Sequence, residues 1–326
     1  MTISVLRPGL LTTVQDHGRH GFQHLGVIPG GPMDPVGLAL ANALVGNEAG
    51  AAALEITILG PELVFAEETL VALCGAEFHC NFPGDRPVLL PAGAKLSIGR
   101  VQRGARAYLA VAGGFAVEPV LGSRSTYLPG RFGGCQGRAL RRGDVLTLDE
   151  NASILSRRRF QKLKRKKGNT VQWGAPTPTL PDREPALVHA MESQDFVSFD
   201  SASQDVFFEA VWKIAPESNR MGFRLAGPAL VRPGDDEILS APICLGTVQV
   251  PASGAPIALM ADHQTTGGYP RIAEIASADV PRLAQLAPGA TLRFARCTLE
   301  TAIELRRDAG ARLDTLLQSI AWEYGT

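Results

Sequence analysis

Thirty-five glycines and 23 prolines in 326 residues oblige this chain to change direction every few residues. Glycine reaches positive φ at little steric cost, and proline fixes φ and removes a backbone donor, so neither suits long helices. That punctuation favours many short strands over a helical bundle. The segments between turns agree. Residues 53–60, ALEITILG, place Leu54, Ile56 and Ile58 on one face and Glu55 and Thr57 on the other, the period of a half-buried strand. ISVLRPGLLTTVQD (3–16) reads as strand, Pro-Gly turn, strand, and TLVALCGAEF, AKLSIGRV, ARAYLAVAGG and GDVLTLDE as four further strands. In the second half ALVHAME, VFFEAVWKIA, PALV, RIAEIA and ATLRFARC are strand-like, and GTVQVPASGAPIALMADHQ (246–264) is strand, turn, strand. Such spacing predicts barrels or sandwiches.

Helical signals are few. Asp34 is a good N-cap, Pro35 fits the first helical position, and Val36, Leu40, Ala43 and Leu44 share a face that ends at Gly46-Asn47. A short helix is expected near DVPRLAQL. A final helix over about 299–322 carries the stripe Leu313, Leu316, Leu317 and Ile320, with Thr301 and Glu304 as a capping box.

Lys plus Arg and Asp plus Glu are each 32, so no net field draws the chain to nucleic acid or membrane. No apolar run reaches transmembrane length, and the first residues lack a signal-peptide pattern, so a cytoplasmic location is expected. Five cysteines without a CxxC pair fit reduced, mostly buried thiols. One stretch breaks the charge balance. Arg157, Arg158, Arg159, Lys162, Lys164, Arg165, Lys166 and Lys167 follow one another with no acid between them. The run suits RNA or an acidic partner, but the balanced remainder favours a solvated linker or hairpin between lobes. The expected organisation is therefore a β-rich lobe over 1–150, a basic linker or hairpin over 151–170, a second β-rich lobe over 171–297 and a C-terminal helix over 298–326.

There is no Walker A, GxGxxG, HExxH or GxSxG string, so the common phosphate-loop, dinucleotide, zinc-protease and hydrolase readings lose their direct support, although other folds bind ATP without a Walker loop. Three polar clusters remain. QDHGRHG holds Asp16 and Arg19 near His17, His20 and His24, but its glycines oppose one helix presenting the histidines to a metal, and no metal site is assigned. PESNRMGFRLAGP (216–228) offers Asn219 and the guanidinium forks of Arg220 and Arg224, which suit carboxylate or phosphate, or an acid elsewhere in the chain. ADHQTTGGYPR (261–271) is the most specific. Asp262 and His263 end a strand, Gln264, Thr265 and Thr266 supply polar groups, Gly267 and Gly268 admit a close ligand, and Tyr269 follows. Gln249 on the partner strand could reach the same place.

The strings TVQDHGRHG, GPMDP, ANALVGN, GSRSTYLPG, GRALRRGD, SNRMGFRLAGP, GTVQVPASGAPIALMADHQTTGGYP and LAPGATLRF follow in this order. Together they closely resemble the family of 5-oxoprolinase C subunits, allophanate-hydrolase subunit 2-like proteins and the A and B subdomains of the urea carboxylase carboxyltransferase region. The resemblance covers about residues 3–297; the basic run is unusual for it, and VPASG departs from the more typical VPP-x-G. It implies a mainly β fold of two barrel-like, cyclophilin-like lobes with few short helices and a C-terminal helix. It also implies work beside a B-like sister protein and an A-like protein, with ATP used by the complex to open the lactam of 5-oxo-L-proline to L-glutamate. Two alternatives come with the resemblance: the acceptor side of a carboxyltransferase fed by biotin on a separate protein and acting on urea or a similar amide, and a non-enzymatic regulator that binds a sister protein. On this reading His263, Asp34 and Asp262 are the candidates for proton handling. Asp16, Arg19, Asn219, Arg220, Arg224, Gln249, Gln264, Thr265, Thr266, Gly267, Gly268 and Tyr269 are the candidates for holding an amide-like substrate in one cleft, because such a substrate needs donors at its oxygen and acceptors at its N–H.

Overall fold

The computed structural model describes residues 1–149, 152–166, 168–234 and 238–324. The chain divides into two compact units, one of Met1–Arg19, Gly30–Leu180 and Arg312–Thr326, the other of His20–Pro29 and Pro181–Ala311.

The first unit carries β1 (Thr2–Arg7), β2 (Leu11–Gln15), α1 (Pro35–Val45), β3 (Ala53–Thr57), β4 (Glu62–Phe65), β5 (Thr69–Cys80), β6 (Pro87–Leu90), β7 (Lys95–Val111), β8 (Val145–Thr147) and α2 (Ile154–Lys164). Its eight strands form one curled sheet in the order β2-β3-β7-β4-β1-β8, with β5 paired to β7 and β6. The curl comes from β7. AKLSIGRV and ARAYLAVAGG are not two strands but one of 17 residues. Its first residues pair with β4 and its last with β3, while β5 follows it through three register shifts. Bulges of this kind bend and twist the pair. One lies beside Gly75, where φ is 114° and a Cβ would sit 2.5 Å from the Arg106 carbonyl.

The inner face packs Ile3, Leu54, Ile56, Leu63, Phe65 and Leu109 into one core. A second core on the other face joins Leu38, Leu40 and Leu44 of α1 to Ala53, Leu70 and Tyr108. So β3 is covered on both sides, and Glu55, expected to face water, is buried. Ile58 falls outside the strand at φ 61°. On α1, Asp34 caps, Pro35 opens and Gly46 closes at φ 79°, as the sequence indicates, but past the exposed Pro35 the helix is buried nearly all round, with Val36 and Ala43 its less buried positions.

The basic run is neither linker nor hairpin: as far as Lys164 it is α2, with Arg165 and Lys166 in the turn that follows. Ser153 caps it by accepting the Ser156 N–H at 2.9 Å. The Ser153 and Ser156 hydroxyls donate to Gly46 and Val45 carbonyls at 2.6 Å each, satisfying acceptors that the end of α1 leaves open. Ser156, Arg159 and Leu163 face inward, which is enough to dock a segment of good helix formers. Lys167 lies outside the described residues.

The second unit carries β9 (Ala186–Glu192), α3 (Ser201–Glu209), β10 (Trp212–Ile214), β11 (Gly222–Ala226), β12 (Ala241–Pro242), β13 (Thr247–Gln249), β14 (Ile257–Leu259), β15 (Thr266–Gly267), β16 (Arg271–Ile275), α4 (Val280–Ala284) and β17 (Thr291–Arg296). Seven strands close a barrel in the order β10-β11-β14-β13-β16-β9-β17, and β12 pairs β15 outside it. The protein is therefore mainly β, one closed barrel and one curled sheet. VFFEAVWKIA is not one strand: Asp200 caps α3 from the Ser203 N–H at 2.7 Å, and Phe207 turns inward to stack on Phe294 at 4.5 Å. Only Trp212–Ile214 is strand, and PALV has no regular structure. Helix α5 (Leu299–Tyr324) begins in the second unit and ends in the first. Its cap is Thr298, whose hydroxyl accepts the Thr301 N–H at 3.3 Å, rather than a Thr301–Glu304 box. Ile320 and Tyr324 enter the second core of the first unit with Leu313, Leu316 and Leu317 packed against it, so the apolar stripe is a packing surface. None of the five cysteines is bridged, and only Cys74 is fully buried. No helix among the described residues is long and apolar enough to cross a membrane.

Asp85, at φ 55°, gives the first unit a pH-dependent contribution to stability. Burial, seconded by the charge of Glu77, pushes its carboxyl up to about 6. The unfolded value is near 4, so the folded chain holds this proton more tightly, and stability declines as pH rises from about 4 through 6. Asp85→Asn keeps an acceptor for the Thr177 hydroxyl and tolerates the left-handed backbone. It is expected to leave urea stability unchanged at low pH and to raise it by on the order of 1–3 kcal/mol at pH 8. Equal stability of the two proteins at pH 8 would show that ionised Asp85 carries no burial penalty.

Candidate functional site

In the first unit, Asp16 follows β2 and is buried. Its carboxylate accepts from the Ser123 and Ser125 hydroxyls at 2.6 Å each, the Arg124 N–H at 2.5 Å and the Gly18 N–H at 2.9 Å. Burial opposes ionisation, but these four bonds outweigh it and hold the carboxyl below its ordinary value. Asp16 thereby ties the end of β2 to the segment 123–125. The Arg19 guanidinium, 1% exposed, donates to the Ser125 carbonyl and lies 4.8 Å over the Phe132 ring. Asp34 is 0% exposed. One of its oxygens accepts the Val36 and Gly37 N–H groups at 3.1 and 3.2 Å, and the other accepts the Thr179 hydroxyl at 2.6 Å. Its own N–H donates to the Tyr108 hydroxyl, which donates to Glu55, both at 2.7 Å. The Asp34 carboxylate is thus enclosed as a helix cap.

In the second unit, the segment 261–271 links β14 to β16. Its first anchor is a fork-to-fork ion pair: Arg220 Nε and Nη2 donate to the two Asp262 oxygens at 2.8 and 2.9 Å, with both side chains almost wholly buried. The Asp262 N–H donates to the Arg220 carbonyl at 2.8 Å, so the two segments are also joined by backbone. His263 comes next, 5% exposed, with Nδ1 2.6 Å from the Gln264 carbonyl. A carbonyl only accepts, so Nδ1 carries the proton and Nε2 of the neutral ring is left as the basic nitrogen. Burial holds the ring below its ordinary value, and the Gln264 carbonyl and the Asp262 charge offset this only in part.

The middle of the segment shows what its glycines do. Thr266 and Gly267 form β15 against β12, and the Thr265 carbonyl accepts the Ile243 N–H at 3.2 Å. A Cβ on Gly267 would sit 2.6 Å from Gln249 Nε2, and one on Gly268 3.1 Å from the Ile238 carbonyl. The close approach is made by the protein's own Gln249, which is buried and donates to the Tyr269 carbonyl at 3.4 Å. Arg271 closes the run on Asp195 at 3.0 Å. Thr266 and Tyr269 are exposed. Asn219, also exposed, accepts the Met221 N–H at 2.8 Å, and Arg224 points outward between buried Phe223 and Leu225.

The structure therefore brings together Arg220, Asp262, His263 and Gln264 through bonded contacts, and bonds Gln249 to Tyr269 with Gly267 in close approach. Asp16, Arg19 and Asp34 belong to the other unit. A cavity of about 630 Å³ opens beside the segment, walled by Phe199, Arg232, Val250, Gly254, Gly268 and Tyr269 among others. Its size suits a small organic ligand. Among the described residues, no group of three or more His, Cys, Asp or Glu side chains could hold a metal ion. Sequence reasoning misses Ser123 and Ser125, although both stand in the string GSRSTYLPG. It also misses Glu274, whose oxygens accept from Thr247 and Ser193 at 2.8 and 3.1 Å and whose carboxyl burial pushes up. Glu274 looks like an ordinary solvent-facing position of a strand, and only barrel closure covers it.

Comparison with known proteins places these features. Residues 25–296 match the family model of the carboxyltransferase domain, subdomain A and B. The 5-oxoprolinase C subunit of Escherichia coli (strain K12) is 40% identical over 325 residues, 98% of each chain. Its namesake from Haemophilus influenzae is 35% identical over 96% of this chain and 97% of that one. The crystal structure of the Kluyveromyces lactis urea carboxylase superposes with a TM-score of 0.85 at 32% identity, over 97% of this chain and 29% of that larger one.

Proposed function

The chain belongs to the family of carboxyltransferase domains of the subdomain A and B type, and from that premise we propose that it is the C subunit of a 5-oxoprolinase. One observation carries the reading: 40% identity over 98% of both chains to a protein of that name. The complex would open the lactam of 5-oxo-L-proline to L-glutamate, with ATP consumed and with A-like and B-like proteins as partners, and this chain would be active only within it. His263 is the proton-handling residue of this chain: neutral, with Nε2 basic, at the edge of a glycine-bearing segment. Asp262, Arg220 and Gln249 position that segment, and Asp34, Asp16 and Arg19 organise the first unit. The cavity walled by Gly268 and Tyr269 receives the small amide. The basic groups of 261–271 are poorly suited to a triphosphate, since His263 is held neutral and Arg271 is paired with Asp195. ATP is therefore not assigned to this segment; it is shared with the partner proteins.

The likeness to a urea carboxylase favours a second reading, carboxyl transfer from biotin on a separate protein to an amide nitrogen. Reconstitution separates the two. This chain, purified with its A-like and B-like partners and given 5-oxo-L-proline and ATP, is expected to form glutamate and ADP only when all three proteins are present. An assembled complex that forms no glutamate would turn the search to biotin-dependent transfer onto urea-like amides.

A further inference from the structure

We propose that the outward face of α2 is a docking surface for an acidic face on a partner protein of the complex, an inference that rests on the reading of this chain as one member of a multi-protein assembly. Ile154, Arg157, Arg158, Gln161 and Lys162 recur at helical spacing on α2, and with Arg165 and Lys166 of the turn after it they line one shallow concavity of about 540 Å³. The side chains of Arg157, Arg158, Arg165 and Lys166 make no hydrogen bond or ion pair among the described residues. Lys162 spends its ammonium on the Glu323 carbonyl, which leaves its charge unneutralised. Arg158 and Lys162 stand four apart on the helix, so like charges repel along the face, and Arg165 and Lys166 add two more cations in the turn that follows. Lys162 apart, which reaches Glu323 and the Tyr324 ring, the stripe serves no contact within the fold among the described residues, because α2 docks through Ser156, Arg159 and Leu163 on its other side. A chain of zero net charge thus concentrates unpaired cations on the outward face of α2 and the turn after it.

The chemistry of the face selects the occupant. Ile154 is 71% exposed and Leu155 40%, an apolar anchor at one end of a basic stripe. Protein interfaces use that combination. Single-stranded nucleic acid is held by aromatic platforms between cations, and Phe160, the aromatic residue of this helix, packs partly buried against the core instead. Charge complementarity of this kind mainly raises the association rate and is sensitive to salt.

The test uses full-length protein and the purified A-like and B-like partners. Wild type is expected to bind them with a Kd that weakens at least about tenfold between roughly 50 and 300 mM NaCl. Arg157→Glu/Arg158→Glu/Arg165→Glu/Lys166→Glu is expected to weaken binding at least about a hundredfold with the circular dichroism spectrum unchanged. A version with glutamine at the same four positions, which cannot be blamed on reversed charge in the helix, should fall between. The proposal is overturned if the glutamate variant binds within about twofold of wild type, if wild type fails to bind the partners at all, or if α2 binds poly(U) while partner binding ignores the substitutions. Assembly is read by light scattering and activity by glutamate. A complex that forms with wild type and not with the variant supports docking even without turnover. Glutamate formed by the variant at wild-type affinity for the partners overturns docking and sustains the activity.

Discussion

Arg220→Ala is expected to destabilise the second unit by about 3–5 kcal/mol, the cost of leaving a buried carboxylate without its partner. Asp262 is 1% exposed and both of its oxygens are bonded to the guanidinium, so water cannot replace what the substitution removes. Arg220→Lys keeps the charge but loses the fork, and should recover only part of the loss. Removing both charges, as in Arg220→Met/Asp262→Leu, is expected to restore most of the stability, since a well-packed apolar pair is often as good as a buried ion pair. Calorimetry of the isolated chain reads the transition. A loss below about 1 kcal/mol for Arg220→Ala would show that the pair is solvated in solution. The double variant also separates two roles. If Arg220 serves by holding the 261–271 segment through Asp262, glutamate formation by the reconstituted complex returns along with stability. If the guanidinium touches substrate, stability returns and activity does not. The geometry favours the first, because the fork the sequence offers to a ligand is occupied by Asp262.

That pair marks where sequence reasoning stops. The fork-shaped donor and the acid are both visible as residue types, but they stand 42 positions apart, and nothing in either string names the other as partner. Caps and turns are local, which is why α1 is legible from Asp34 to Gly46. Burial is not local. Glu55 reads as solvent-facing from strand alternation, and only the packing of α1 over that face encloses it with Tyr108 and Met33. The basic run misleads for a related reason: its composition speaks of water, while Ser153 and Ser156 just ahead of the charges bind it to the end of α1, and Leu163 among them packs into the second core. The glycines of 261–271 do mark a close approach, as their lack of a side chain indicates, but at Gly267 the space is filled by Gln249 of the same barrel, and only Gly268 borders an open cavity. Family resemblance carries what spacing cannot, because eight strings in register constrain the fold jointly where each alone is weak.

His263→Asn is expected to lower kcat of the reconstituted complex by about 10²–10⁴-fold, the usual contribution of a positioned acid or base. Asparagine is the informative replacement. Its amide N–H lies where Nδ1 does and can still donate to the Gln264 carbonyl, so the turn after β14 is kept while the basic Nε2 is lost. A purely structural histidine would tolerate the change, with KM, kcat and melting temperature all near wild type. The pH profile supplies the independent readout. The reactive form is the neutral ring, and burial places its pKa below 6.5, so kcat/KM should rise through an acidic limb below that pH and be flat near neutrality. The limb should vanish in His263→Asn, whose residual rate has no imidazole to protonate. An unchanged acidic limb in the variant would assign that titration elsewhere. Asp34 is then poorly placed to take it over, as its carboxylate is 0% exposed and accepts from Val36, Gly37 and Thr179. The search would move to the half-buried Glu274, whose raised carboxyl lies on β16, the strand that the 261–271 segment leads into.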